Sequence, residues 1–357
     1  MSQLKNDRFL RAVSHQPVDT TPIWIMRQAG RYLPEYRKTR EKAGSFMNLC
    51  KTPELACEVT LQPLQRFDLD ASIIFSDILT IPDAMGLGLE FVEGSGPQFA
   101  RPIRHERDIN RLAVPDAEKL QYVYEAIKLV QHELAGRIPL IGFCGSPYTM
   151  AAYMIEGQSR KDFPLISKLL EESPFLLHTL LDVLAESVIA HLNAQIEAGV
   201  QAVMLFDTWG GMLDTKNYEE FSLYYLRQII QGLSGNYTKK IPVILFTKGG
   251  NRWLEKMAET GCDVLGVDHE ISLQEARKRV GDKIALQGNM NPQILLESAD
   301  EIQQDAERIL ESYGQGSGHV FNLGHGITPD VPPEHVKVLV DTVHELGKRF
   351  HTEKVSK

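Results

Sequence analysis

The chain has 357 residues, 43% hydrophobic and 24% charged, a composition that excludes disordered and fibrous classes and fits an ordinary globular protein. Its net charge of −9 argues against non-specific binding to nucleic acid or an anionic membrane, so an anionic ligand would need cations gathered locally. No apolar leader follows the first residues and no run approaches the ~18 apolar residues of a membrane helix, so the expectation is a cytoplasmic chain without a membrane span.

The spacing predicts a short helix over 7–14 and then an apolar run over 21–26, read as a buried strand bounded by Pro22. That run ends in Arg27, with Arg31 four residues further on. A guanidinium cannot shed its charge, so arginine beside a core needs an anion. If 28–33 forms a helical turn, the two arginines share a face and can clamp carboxylates or phosphates; the plainer alternative pairs each with an internal Asp or Glu.

Seven more apolar runs follow, at 71–75, 138–144, 202–207, 242–248, 263–268, 284–289 and 319–325. Amphipathic stretches at 120–134, 175–198, 218–232, 254–260 and 273–280 lie between them. Strand and helix alternating through eight units without a linker predict an α/β protein, a single-domain (β/α)8 TIM barrel spanning 1–357. The opening helix would cap the barrel bottom, and the tail from about 350 would fray.

In such barrels chemistry gathers where the strands end. The residues there are polar: Arg27, Asp77, Ser146, Asp207-Thr208, Lys248, Asp268-His269, Gly288-Asn289 and His325. Asp77 can accept from N–H donors or stabilise a developing cation; otherwise it caps a helix or partners Arg27. Ser146-Pro147 reads as a helix start that carries Tyr148 and Tyr153, either of which can reach the mouth or simply pack. Thr208 offers a hydroxyl that Asp207 either orients or leaves for its own backbone cap, and His325 sits between two glycines, which is no place for a packing residue. Lys248, with Gly288-Asn289 and Gly324-His325-Gly326 at positions where barrels bind phosphate, also allows a Schiff-base aldolase.

These residues lie in motifs through which the chain resembles the uroporphyrinogen decarboxylases of haem biosynthesis. The motifs are Trp24-Ile25-Met26-Arg27-Gln28-Ala29-Gly30-Arg31-Tyr32-Leu33-Pro34, Phe75-Ser76-Asp77-Ile78-Leu79, Gly142-Phe143-Cys144-Gly145-Ser146-Pro147 running on to Tyr153, Leu286-Gln287-Gly288-Asn289, and Asn322-Leu323-Gly324-His325-Gly326. The resemblance implies a homodimeric barrel with no metal and no organic cofactor, which removes four acetate carboxyl groups from uroporphyrinogen III to give coproporphyrinogen III. It also implies substrate binding by Arg27, Gln28, Ala29, Gly30, Arg31, Phe46, Asp77, Tyr153, Thr208 and His325. The Thr208 position is often serine in that family, and the Phe46 match rests on Gly44-Ser45-Phe46.

On this view Asp77 is the catalytic stabiliser of a cation formed when a pyrrole carbon takes a proton. Arg27 and Arg31, with Arg37 beside them, grip the carboxylates. The proton donor stays open among an arginine-held carboxylate, water, Tyr153 and His325. Three rivals remain besides: the aldolase, a non-catalytic porphyrinogen carrier, and a corrinoid- or folate-linked methyltransferase, which would need zinc. Against zinc, Cys50, Cys57, Cys144 and Cys262 form no C-x-x-C pair and have no His-x-Cys partner.

Overall fold

A computed structural model describes residues 4–92, 96–234 and 241–351. Among the described residues the strands are β1 (Ser72–Ile73), β2 (Leu89–Val92), β3 (Gly96–Phe99), β4 (Leu140–Gly145), β5 (Ala202–Asp207), β6 (Val243–Thr247), β7 (Val264–Gly266), β8 (Ala285–Met290) and β9 (His319–Leu323). All but β2 and β3 form one parallel sheet in the order β1-β4-β5-β6-β7-β8-β9. It is the curled sheet of a single-domain TIM-like barrel, wrapped by helices. The β2–β3 pair is an antiparallel hairpin that the sequence reading missed.

Strand parity divides the core. Ile141, Ala202, Met204, Ile244, Phe246, Val264, Ala285 and Val320 face the barrel interior, while Val203, Leu205, Leu245, Leu265 and Leu286 face the helices. The opening helix, Arg8–Val13, adds Phe9, Ala12 and Val13 to the interior cluster and closes the bottom.

The first apolar run is not a strand. It makes a single parallel bridge, Ile23 to Phe321. Side chains take over the ladder there: Ile23 N donates to Asp70 Oδ2 (2.8 Å), Ile25 N to Gln28 Oε1 (3.2 Å) and Met26 N to Asn322 Oδ1 (2.9 Å). Parity survives, with Trp24 and Met26 inward and Ile23 and Ile25 outward, so the segment still closes the barrel between β9 and β1. Asp70 anchors this closure, also accepting from Asn6 (2.9 Å), Arg8 (3.3 Å) and His344 (2.7 Å).

Three other expectations change. The helix expected over 218–232 begins as Thr215–Tyr218, widens into a π turn at Glu219–Leu223 and resumes as Tyr224–Ser234. The tail is tied down to residue 351, because Lys348–Phe350 is a 3₁₀ turn and His351 Nε2 meets Thr21 Oγ1 at 2.9 Å; residues 352–357 lie outside the described residues. Finally, the helix Pro174–Ala198 is long and apolar enough, by length and composition, to cross a membrane. Half of its apolar stretch is buried, with Leu177, Leu180, Leu181, Leu184, Val188 and Leu192 inside the core, so packing accounts for its character.

Candidate active site

At the C-terminal edge the inward parity ends in Phe143 and Phe206, both partly exposed and packed edge to face at 5.5 Å, with Phe246 6.4 Å from Phe206. They make an apolar floor, on which a flat ring can lie. Asp207, one residue on, falls on the outward parity and is fully buried. Its Oδ1 accepts from Ser146 (2.6 Å), Thr149 (3.2 Å) and Gly210 N (3.2 Å), and its Oδ2 from Ser222 (2.8 Å) and Thr247 (3.1 Å). It thus ties the loops after β4, β5 and β6 together; Ser222 arrives from the π turn, and Ser146 also caps the helix Pro147–Glu156. A Cβ at Gly210 would collide with this carboxylate. Asp207 caps its own backbone and does not touch the Thr208 hydroxyl, which has no partner among the described residues.

Arg27 ends the first run with φ +66°, a left-handed conformation that costs a non-glycine residue about 1 kcal/mol or more. The surrounding bonds enforce it. Gln28 N returns to Ile25 O (2.8 Å), Gln28 Oε1 accepts from Ile25 N, and Tyr32 Oη donates to Gln28 O (2.9 Å). Gln28 is fully buried, so its side chain supports the loop and does not face a ligand.

Residues 28–33 are bends and turns, not the helical turn expected. Arg27 and Arg31 nevertheless sense each other electrostatically, and neither forms an ion pair among the described residues. The backbone N–H groups of Ala29, Gly30 and Arg31 have no protein acceptor among the described residues, which leaves a donor-rich loop. Arg37 is not part of the grip: its NH1 donates to Arg31 O (2.7 Å) and Tyr32 O (3.4 Å) and braces the loop. The Arg27 stem passes over Gly326, where any Cβ would strike it. Its guanidinium is open to solvent yet ringed by protein, which lowers its pKa, while Asp77 and Tyr153 oppose that shift.

Asp77 shares this mouth. Burial pushes its carboxyl up to about 6; Leu79 N, donating to Oδ1 at 2.8 Å, and the charge of Arg27 hold it down. It is therefore mostly ionised at pH 7 and close to titrating. Tyr153, on the helix Pro147–Glu156, is buried, its phenol raised by that burial and lowered by Trp209 and Ser159. It packs edge to face on Phe163 (5.8 Å) and Trp209 (6.1 Å) and lies within electrostatic reach of Asp77 and Arg27. His325 is depressed to about 4 by burial and then by the charges of Arg27 and Lys248, so it is a neutral imidazole near pH 7. It has no proton to give as an imidazolium there. Phe46 opens the helix Phe46–Lys51, capped by Ser45. It packs on Phe75 (5.7 Å), two residues before Asp77, and on Phe91 (4.2 Å) of the hairpin.

Other strand-end residues are spent on structure. Asn289 Nδ2 donates to Asp268 O (2.7 Å) and Ile271 O (2.6 Å), while Asp268 accepts from Gly249 N (2.9 Å), Glu270 N (2.9 Å) and Asn251. The Asn289 amide is thereby committed to holding the loop after β7. Lys248 is exposed, with Nζ 6.0 Å from the Trp209 ring centroid, and not enclosed in the apolar pocket a Schiff-base lysine needs. Burial pushes the Cys144 thiol up to about 12, which disfavours a thiolate ligand, and among the described residues no cluster of three or more His, Cys, Asp or Glu could hold a metal ion. The sequence reading missed the Phe143–Phe206 floor and Trp209. The period-2 parity of the runs at 138–144 and 202–207 could have found the first; nothing in the sequence singled out the second.

The family model described as uroporphyrinogen decarboxylase (URO-D) matches residues 4–346. A uroporphyrinogen decarboxylase from Nitrosococcus oceani is 62% identical over 354 residues, covering 99% of each chain. Another from Thioalkalivibrio sulfidiphilus is 60% identical, covering 98% of this chain and all of its own. Among solved structures, a methyltransferase from Methanosarcina mazei superposes with a TM-score of 0.80 at 24% identity, covering 96% of this chain and 99% of its own, a likeness of fold.

Proposed function

This chain belongs to the uroporphyrinogen decarboxylase family, and on that premise we propose that Asp77 carries the chemistry while Arg27 and Arg31 supply the grip. The enzyme is a carboxy-lyase that decarboxylates uroporphyrinogen in haem biosynthesis. We read the substrate as the III isomer, whose four acetate side chains become the methyl groups of coproporphyrinogen III. The observation that carries the division of labour is the mouth itself. Among the described residues Arg27 and Arg31 form no ion pair, the N–H groups of Ala29, Gly30 and Arg31 have no acceptor, and Asp77, whose charge Arg27 senses, has a single internal donor.

Loss of CO₂ needs somewhere for its bonding electrons to go. Protonation of a ring carbon gives a pyrrole cation conjugated to the acetate methylene. The electron pair of the breaking C–C bond then flows into that cation, a second proton reaches the methylene carbon, and the ring carbon's proton is lost to restore the pyrrole. The substrate is thus its own electron sink. Asp77, accepting from the pyrrole N–H groups, meets the cation as it forms; one preorganised group of this kind is typically worth ~3–4 kcal/mol. Phe143 and Phe206 support the ring face, Phe46 closes the rim beside Asp77, and Tyr153, Thr208 and His325 hold carboxylates or orient the macrocycle. Ala29 and Gly30 contribute backbone N–H groups and Gln28 holds the loop from behind. With His325 neutral, the candidates for first proton donor narrow to Tyr153, a bound water or an arginine-held carboxyl group. We further read the enzyme as a cytoplasmic homodimer, a reading that rests on the family likeness.

The test is anaerobic single turnover of uroporphyrinogen III by the purified protein. Stoichiometric CO₂ with methyl-bearing product is the expected result; tight binding without CO₂ would make the chain a carrier.

A further inference from the structure

The clamp at Arg27 and Arg31 occupies one side of the mouth, and a substrate with eight carboxylates has more charge than two arginines can meet. The other side carries Lys248, one residue past β6. Its position is fixed: Lys248 N donates to Asp207 O (3.2 Å), Gly249 N donates to Asp268 (2.9 Å), and the Lys248 carbonyl sits where a Cβ on Gly211 would fall. Its ammonium is exposed, pairs with no carboxylate among the described residues, lies 6.0 Å from the Trp209 ring centroid, and is felt by His325 together with Arg27. A cation at a strand end of the barrel, unpaired among the described residues and standing over an aromatic face, is placed for an anionic ligand.

Trp209 adds a second donor. Its backbone N–H is fixed by Thr149 Oγ1 (3.1 Å), itself bonded to Asp207, and its ring is packed against Phe163 (4.6 Å) and Tyr153 (6.1 Å). Its indole Nε1–H is buried, close enough to Tyr153 to lower that phenol's pKa, yet makes no hydrogen bond of good geometry among the described residues. A buried donor whose nearest protein oxygen, the Tyr153 phenol, does not meet it squarely has room for a better acceptor from a ligand.

We propose that Lys248 and Trp209 form a second carboxylate subsite, across the mouth from Arg27 and Arg31, which holds a peripheral carboxylate that the product retains. This rests on the decarboxylase reading and adds two binding residues to it. The subsite lets the macrocycle be held from both sides while its acetates are presented in turn to Asp77.

The experiment measures KM for uroporphyrinogen III, inhibition by coproporphyrinogen III, and equilibrium binding of uroporphyrinogen III without turnover, in Lys248→Met, Lys248→Arg, Trp209→Phe and the Met/Phe double variant. Lys248→Met is expected to raise KM and the product inhibition constant together by about tenfold, Lys248→Arg to recover most of that, and Trp209→Phe, which keeps the ring but loses the N–H, to raise both about threefold. If the two share one carboxylate, the double variant loses less than the product of the single losses. Unchanged KM and product inhibition in Lys248→Met, or a fall in kcat alone, overturns the subsite. Failure of the wild-type chain to release CO₂ strikes the decarboxylase reading instead, and the binding titration still reports on Lys248.

Discussion

Asp207 closes strand β5 and Asp77 stands just past β1, both at the C-terminal edge of the barrel, and burial raises the pKa of both. Asp207 accepts from Ser146, Thr149, Gly210, Ser222 and Thr247; among the described residues Asp77 accepts from Leu79 N–H alone. A carboxylate has about four acceptor sites. Asp207 has used its capacity inside the protein, on the helix-facing parity, and can only hold loops in place. Asp77 keeps most of its capacity for whatever enters the mouth. The contrast separates a bracket from a reagent where the residue type and the strand-end position are the same.

The comparison breaks most readily at Asp207. Asp207→Ala would strand four hydroxyls and an N–H in the interior and should lower the unfolding free energy by about 3–5 kcal/mol, read by urea denaturation. A loss below about 1 kcal/mol would mean the loops after β4, β5 and β6 hold without it.

Asp77→Asn should leave the fold intact and cut kcat by about 10²–10³. The pH profile sharpens this. Protonation removes the charge that meets the pyrrole cation, so wild-type kcat/KM should fall as pH drops through about 6, and the variant should lack that limb. His325, depressed to about 4, adds no limb between pH 5 and 8. Near-normal turnover in Asp77→Asn would remove Asp77 from its role.

A smaller effect is expected from Arg31→Ala, which removes one charged donor from an exposed position. KM should rise by about tenfold, within the ~1.5–3 kcal/mol of a charged hydrogen bond, with less change in kcat. An unchanged KM would count against the clamp.

The barrel was legible because its signal is repeated: eight apolar runs separated by amphipathic stretches leave few other topologies. The first run deceived the reading, because Ile23 to Met26 is apolar enough for a strand, while Asp70, Gln28 and Asn322 side chains capture its N–H groups. No local pattern reveals Asp70 and Asn322, which lie 47 and 296 residues from the N–H groups they take, and nothing marks Gln28 for turning back on Ile25. The sequence could place Arg27, Asp77, Thr208 and His325 at strand ends and Tyr153 on the helix after one, but side-chain direction in an irregular loop follows no period, so it could not tell that Gln28 turns inward or that Arg37 braces the loop. The motif resemblance supplied Phe46, which composition and periodicity leave anonymous. Trp209 was passed over because the company its indole N–H keeps is a property of three-dimensional surroundings.

The closure at Asp70 has a consequence for how the molecule comes into being. The segment carrying Arg27 is among the first synthesised, yet its backbone is held by Phe321 and by Asn322, the latter 296 residues later in the chain. Contacts of such sequence separation are slow to find, because the loop they close is nearly the whole polypeptide. A nascent chain on the ribosome therefore carries its arginine loop without a mouth to belong to until the last stave emerges, and substrate-binding competence arrives only with completion of the barrel.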